Sequence, residues 1–269
     1  MIRLPGANLS ADVARDLLSY QHTVNSCGTY EARVESAKAL FRQRNRPDNL
    51  AFRHVRDILD QICRGSRRCM YCEDSVADEV EHFRPKDFYP EFVFAWENYL
   101  YACGPCNGPK NNHFAIFSAA TGARIDLRRR RGDPITEPEP GDPLLIDPRN
   151  EDPMDFIAID LRDTFLFKEI HGPGTRERER ARYTIEILHL NEREYLRVAR
   201  VSAYEGYCGI LHRYIDERDS HMPQGVLDRK VAAIRRSPHP TIWAEMKRQK
   251  DTSPDLLALF TAAPEALDW

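Results

Sequence analysis

Apolar residues recur along the opening stretch at three- and four-residue spacing, the period of helices with one buried face. Over residues 10–24, Ser10 is placed to cap a helix, and Val13, Leu17 and Leu18 recur on one side. Gly28 suits a helix stop, after which residues 29–45 carry Tyr30, Val34, Ala37, Leu40 and Phe41 at the same spacing. Pro47 fits the first turn of a third helix whose stripe is Leu50, Phe52, Val55, Ile58, Leu59 and Ile62. These faces are expected to pack on one another as a helical support.

From Val80 the period becomes two. Val80, His82 and Arg84 share one face, Glu81 and Phe83 the other, and Pro85 ends the run, as in a short strand. Phe92, Phe94 and Trp96 form a second alternation, extended by Tyr99, Leu100 and Tyr101; Gly104-Pro105 then starts a short helix to about His113. The acidic, proline-rich residues 137–143 read as a loop, and 156–159 and 165–167 as two further strands. Helical patterns follow over 176–190, 192–218, 224–236, 240–250 and 254–262. The expected organisation is α+β, with an N-terminal helical region (1–65), a core with a small β layer (66–170) and a C-terminal helical lobe (171–269).

Composition narrows the classes. The chain has 269 residues, 42% hydrophobic and 30% charged, with a net charge of -3. That balance suits a soluble globular protein and argues against a surface that grips nucleic acid everywhere; a polyanion must meet a local basic patch. No apolar run approaches the roughly 18 residues of a membrane span, and no basic region with a long apolar core marks an export signal. A cytoplasmic protein is expected. Four of the seven cysteines form two Cys-x-x-Cys pairs, which in a reducing compartment points to metal thiolates. Cys27, Cys63 and Cys208 read as small buried residues without chemistry.

Cys69/Cys72 and Cys103/Cys106 bracket 30 residues. Two such turns supply the four sulfurs of a structural Zn2+, closing its coordination so that it acts as a staple. A redox dithiol would need only one pair. Inside the bracket, Glu81 and His82 are strand neighbours and point to opposite faces, so one can hold a cation while the other meets water. A lone Glu-His pair is most often a plain surface strand; its place between two knuckles gives it weight. Asn107, on the helix after Cys106, offers a second oxygen for Mg2+, and Asn111, one turn on, another; His113 is a weaker candidate. Arg64, Arg67 and Arg68 beside the first knuckle, with Arg84 and Lys86, are candidate nucleic-acid contacts, the alternative being a solvated loop. The run 128–131 is open to the same two readings.

Glu81-His82-Phe83-Arg84-Pro85, Trp96-x-Asn98-x-Leu100 and Ala102-Cys103-x-x-Cys106-Asn107-x-x-Lys110, with the first Cys-x-x-Cys, resemble an HNH endonuclease. The resemblance implies a zinc-stapled, treble-clef-like ββα-metal core. The wording of these motifs, with LLIDPRNEDP further on, is most similar to the PtuB-like HNH nuclease subunits of Septu and retron anti-phage systems. The motifs cover about residues 66–115; a looser likeness, including Leu190-Asn191, reaches to about 200. By this resemblance His82 is the general base, and Glu81 and Asn107 are ligands of the catalytic ion. Asn98 pins the loop that orients His82, and Lys110 steadies phosphate. It further implies DNA cleavage leaving 5′-phosphate and 3′-hydroxyl ends, and an SMC- or ABC-like ATPase partner. Glu81 stands where many relatives have Asp, and Asn107 where others have His; a neutral amide favours Mg2+ or Mn2+ over softer metals. Two other readings keep the same motif: an RNA- or tRNA-cleaving toxin, and a zinc-based nucleic-acid-binding module with an idle centre.

Overall fold

Three helices form where the stripes lie: α1 (Ala11–Asn25), α2 (Tyr30–Arg44) and α3 (Leu50–Ile62). The computed structural model describes residues 1–269. Thr29 and Asn49 cap α2 and α3, their side chains accepting from the backbone N–H of Ala32 and Phe52. Pro47 lies ahead of the Asn49 cap, so it is outside the first turn of α3 where its ring was expected. Leu18 and Leu50, placed on the stripes by spacing, are 70% and 74% exposed; the buried faces are narrower than the apolar pattern.

The centre is a hairpin of β1 (Glu79–His82) and β2 (Tyr99–Ala102), antiparallel, with Glu81 opposite Leu100 and His82 opposite Tyr99. Helix α4 (Gly104–Lys110) follows at once, giving a ββα unit. The expected strand through Phe92, Phe94 and Trp96 does not form. Two 3-10 turns, Pro90–Phe92 and Trp96–Asn98, occupy that stretch. Tertiary partners take the backbone groups a ladder would need: the Val93 carbonyl accepts from Tyr99, and the Phe94 N–H donates to Gln21 of α1.

β3 (Phe114–Ser118), not anticipated from the sequence, is the middle of an antiparallel sheet between β4 (Arg124–Leu127) and β5 (Gly141–Pro143). All five residues of β3 are buried, which removes the alternation that would have marked it. A Cβ on Gly141 would lie 2.3 Å from the Phe117 carbonyl oxygen, so only glycine lets these two strands approach. β6 (Ile157–Ile159) and β7 (Phe167–Glu169) form a last hairpin. The second of these strands starts later than expected, because Phe165 turns the chain at φ 54°.

The C-terminal part comprises α5 (Arg176–Ile187), α6 (Glu194–Asp219), α7 (Gln224–Arg236), α8 (Pro240–Arg248) and α9 (Pro254–Ala262), with α6 packed on the last three. The apolar core is continuous from Met1 to Ala266 and includes all four knuckle cysteines. The fold is thus α+β. No helix is long and apolar enough to cross a membrane.

Candidate metal centre and adjoining cavity

The sulfurs of Cys69, Cys72, Cys103 and Cys106 lie within 4.8 Å of one another, and all four residues are buried. Cys72 and Cys103 are 3.8 Å apart, matching the ~3.8 Å edge of a tetrahedron with 2.3 Å zinc–sulfur bonds. Local turns set this up. The Glu73 N–H donates to the Cys69 carbonyl in the first knuckle, and the Cys106 and Asn107 N–H groups donate to the Cys103 carbonyl in the second. Burial pushes the Cys69 thiol up, whereas hydrogen bonds from Cys103, Cys106 and Cys69 pull Cys72 down. A Zn2+ ion is what lets four crowded sulfurs ionise together, so the donor set fits it.

Two arginines from α6 and its cap, unmarked in the sequence, lie on the C-terminal side of the cluster, and Arg193 bonds it directly. Arg193 donates to the Cys106 sulfur at 3.2 Å and to the Leu188 carbonyl at 2.8 Å. Arg200 is buried near Cys72, its guanidinium bound to the carbonyls of Phe165 and Leu190. Zinc with four thiolates carries surplus negative charge, which these cations offset. Of the lone cysteines only Cys63 is buried; Cys27 and Cys208 are half-buried. Burial raises Cys63 to about 12, so it stays a thiol.

His82 faces the N-terminal helices. Its ring is 4.3 Å from that of Phe41 on α2 and 5.3 Å from Tyr99. Nε2 lies 3.0 Å from the Val93 carbonyl oxygen. A carbonyl only accepts, so Nε2 carries the proton and Nδ1 keeps its lone pair. The segment presenting Val93 is held on several sides. Asn98 accepts from the Arg84 N–H at 2.7 Å and donates to the carbonyls of Arg84 and Phe92. Tyr30 of α2 bonds the Phe88 carbonyl, and Gln21 of α1 that of Pro90.

Burial, then the nearby Lys86 ammonium, holds the His82 imidazole well below its ordinary value of 6.5. The sign follows. Below about pH 6.5 the unfolded chain binds a proton that the folded chain refuses, so this stabilising contribution is whole above that pH and lost as pH falls. Between pH 7.5 and 5.5 the melting temperature of the native chain is therefore expected to drop further than that of His82→Asn. Parallel slopes in thermal melts would reject the assignment.

Lys110 departs from its expected role, and Glu81 reaches the cavity already engaged on both oxygens. Lys110 is fully buried: its ammonium pairs with Glu81 and donates to the His82 carbonyl at 2.8 Å, so it cannot steady a phosphate from there. It holds the strand. The other Glu81 oxygen accepts from Tyr71 at 2.8 Å. Replacing Lys110 by Met leaves a buried, unpaired carboxylate and should cost about 3–5 kcal/mol in urea denaturation. Lys110→Met combined with Glu81→Gln should recover most of it; an equally unstable double variant would sink the pairing argument.

A cavity of about 230 Å³ beside β1 and α4 is lined by Glu79, Glu81, His82, Lys86, Asn107 and Asn111. The fold therefore gathers the expected base, the expected ligands and one expected basic residue around one space. Asn111 lies at its edge with φ 37°, a strained backbone for a residue other than glycine. Lys86 is half-buried over the Phe41 ring, and burial lowers its ammonium. The other basic candidates lie elsewhere. Arg67 bonds the Ala77 carbonyl and the Tyr101 hydroxyl, and Arg68 the Asp74 carbonyl, so both brace the first knuckle. Arg84 stacks on Tyr89 and Phe92 and lines a larger cleft of about 650 Å³ that contains neither His82 nor a cysteine. Arg64 is exposed and outside the cavity lining. Glu79, overlooked in the sequence, stands two positions before Glu81, the spacing that puts both on one strand face.

No protein-family model matches the sequence, and no solved structure matches it. Over 53 residues the chain is 47% identical to the Septu protein PtuB of Bacillus thuringiensis, a match covering 18% of this chain. The matched stretch spans 21% of that relative, about a fifth of its length, so the likeness relates the two proteins in part.

Proposed function

We propose that the chain is a metal-dependent HNH endonuclease that hydrolyses DNA phosphodiester bonds. We assign it to the cytoplasm, as the effector of a Septu-type anti-phage system acting with an SMC- or ABC-like ATPase. The observation that carries the nuclease reading is the His82 ring, protonated on Nε2 by its bond to the Val93 carbonyl and lining a cavity rich in oxygen ligands. The partial likeness to a Septu protein supports the defence setting.

In this reading Nδ1 of His82 takes a proton from water held in the cavity. Its depressed basicity keeps it neutral, hence competent, at physiological pH. Carboxylate and amide oxygens are hard donors that suit Mg2+ or Mn2+; Glu81 and Asn107, with Asn111 beside them, are the residues to hold it. Such an ion, when bound, supplies stabilisation of the charge on the phosphoryl and leaving 3′ oxygens. Tyr71 and Lys110 orient the Glu81 carboxylate in advance. Lys86 adds a positive charge at the cavity wall, where a phosphate enters.

The test is digestion of plasmid and of total RNA by the zinc-loaded chain in Mg2+ or Mn2+, with and without the ATPase. Cut plasmid and intact RNA are expected, with faster cutting when the partner is present. RNA loss with intact plasmid would favour the toxin reading. Equal rates with and without the ATPase at physiological salt would remove the partner from the proposal.

A further inference from the structure

The two-residue period of β1 puts Glu79 and Glu81 on one face, yet their surroundings differ. Glu81 is buried and engaged by Lys110 and Tyr71. Glu79 is exposed to the cavity and pairs with no cation; the bond its side chain makes is to Asn107, whose Nδ2 donates to Oε2 at 2.6 Å. Asn107 is thereby held twice. Its backbone N–H is tied to the Cys103 carbonyl of the second knuckle at 2.9 Å, and its side chain to Glu79.

The chemistry of that second tie is directional. A carboxylate accepts and cannot donate, so Glu79 is satisfied by the NH2 end of the amide and not by its oxygen. The amide oxygen Oδ1 is then the end left open. A divalent cation needs that oxygen, and the NH2 end would repel it. We infer that Glu79 is a positioning residue for the catalytic ion, acting through Asn107 by selecting the amide orientation that offers Oδ1 to the cavity. The inference rests on the nuclease reading above and adds a residue that the His82 motif does not include. Alanine at 79 frees the amide to turn over. Glutamine at 79 can donate as well as accept, so it no longer distinguishes the two orientations.

The experiment is a Mn2+ titration by calorimetry of the full, zinc-loaded chain carrying His82→Ala, which keeps the metal question apart from cleavage. Glu79→Ala and Glu79→Gln are each expected to weaken Mn2+ binding about 10- to 100-fold, the usual loss when the partner of a metal ligand is removed. Asn107→Ala should weaken it too, and adding Glu79→Ala to Asn107→Ala should weaken it no further, because both changes act through one side chain. Zinc content and melting temperature should stay at the parent values, since the Glu79 side chain is exposed and bonds Asn107 and none of the sulfurs. Parent-like Mn2+ affinity in both Glu79 variants, or full additivity in the double variant, would overturn the inference while leaving the nuclease reading intact. A parent that binds no Mn2+ at millimolar concentration would overturn both.

Discussion

Cys106→Ala is expected to strip the zinc and with it the order of the ββα unit. Cys106 is fully buried, takes the Arg193 bond and immediately precedes Asn107, so one residue joins the cysteine cluster, the C-terminal helices and the cavity. Structural zinc sites contribute about 10–16 kcal/mol in small zinc domains, against about 5–15 kcal/mol for the net stability of a typical domain. Losing the ion is therefore comparable with losing the whole margin. The helices have apolar faces of their own, so helical circular dichroism should persist in part. Protection of the β1–β2 amides from hydrogen exchange should vanish, and metal analysis should fall from one zinc per chain towards none. A Cys106→Ala chain that keeps its zinc and its hairpin protection would remove the staple from the account.

Loss of the base is the second large effect. His82→Ala should lower DNA cleavage about 10²–10⁴-fold, the range for removing a general base. Alanine also empties space between Phe41 and Tyr99, which by itself destabilises the aromatic cluster. His82→Asn separates the two effects. Its amide fills more of the space than alanine does, but it offers no basic nitrogen. Both variants should lose the rate while binding DNA and zinc as the parent does. If His82→Asn cut plasmid at the native rate, water would be activated elsewhere and the proposed mechanism would fail.

How much of this could be read in advance depends on whether the signal is local. The stripes of α1 to α3, the Val80–His82 alternation and the two Cys-x-x-Cys turns are patterns a few residues long, and each appears in the fold near its expected place. β3 was missed because continuous burial erases the period of two. The false strand at 92–96 shows the converse: its apolar alternation is real, but its backbone groups bond to Gln21 and Tyr99 instead of to a neighbouring strand.

The sequence by itself determined the thiolate set, the ββα order and the presence of a histidine beside an acid, since turn chemistry and side-chain period are carried by neighbouring residues. Only the tertiary structure decided what those residues do. It buried Lys110 against Glu81, 29 positions away in sequence, instead of leaving it for a phosphate. It brought Arg193 to a sulfur 87 positions away, and set the Glu79 carboxylate on the Asn107 amide 28 positions away. Hydrogen-bond partners so far apart leave no period in the chain; they follow from which faces the apolar core closes together.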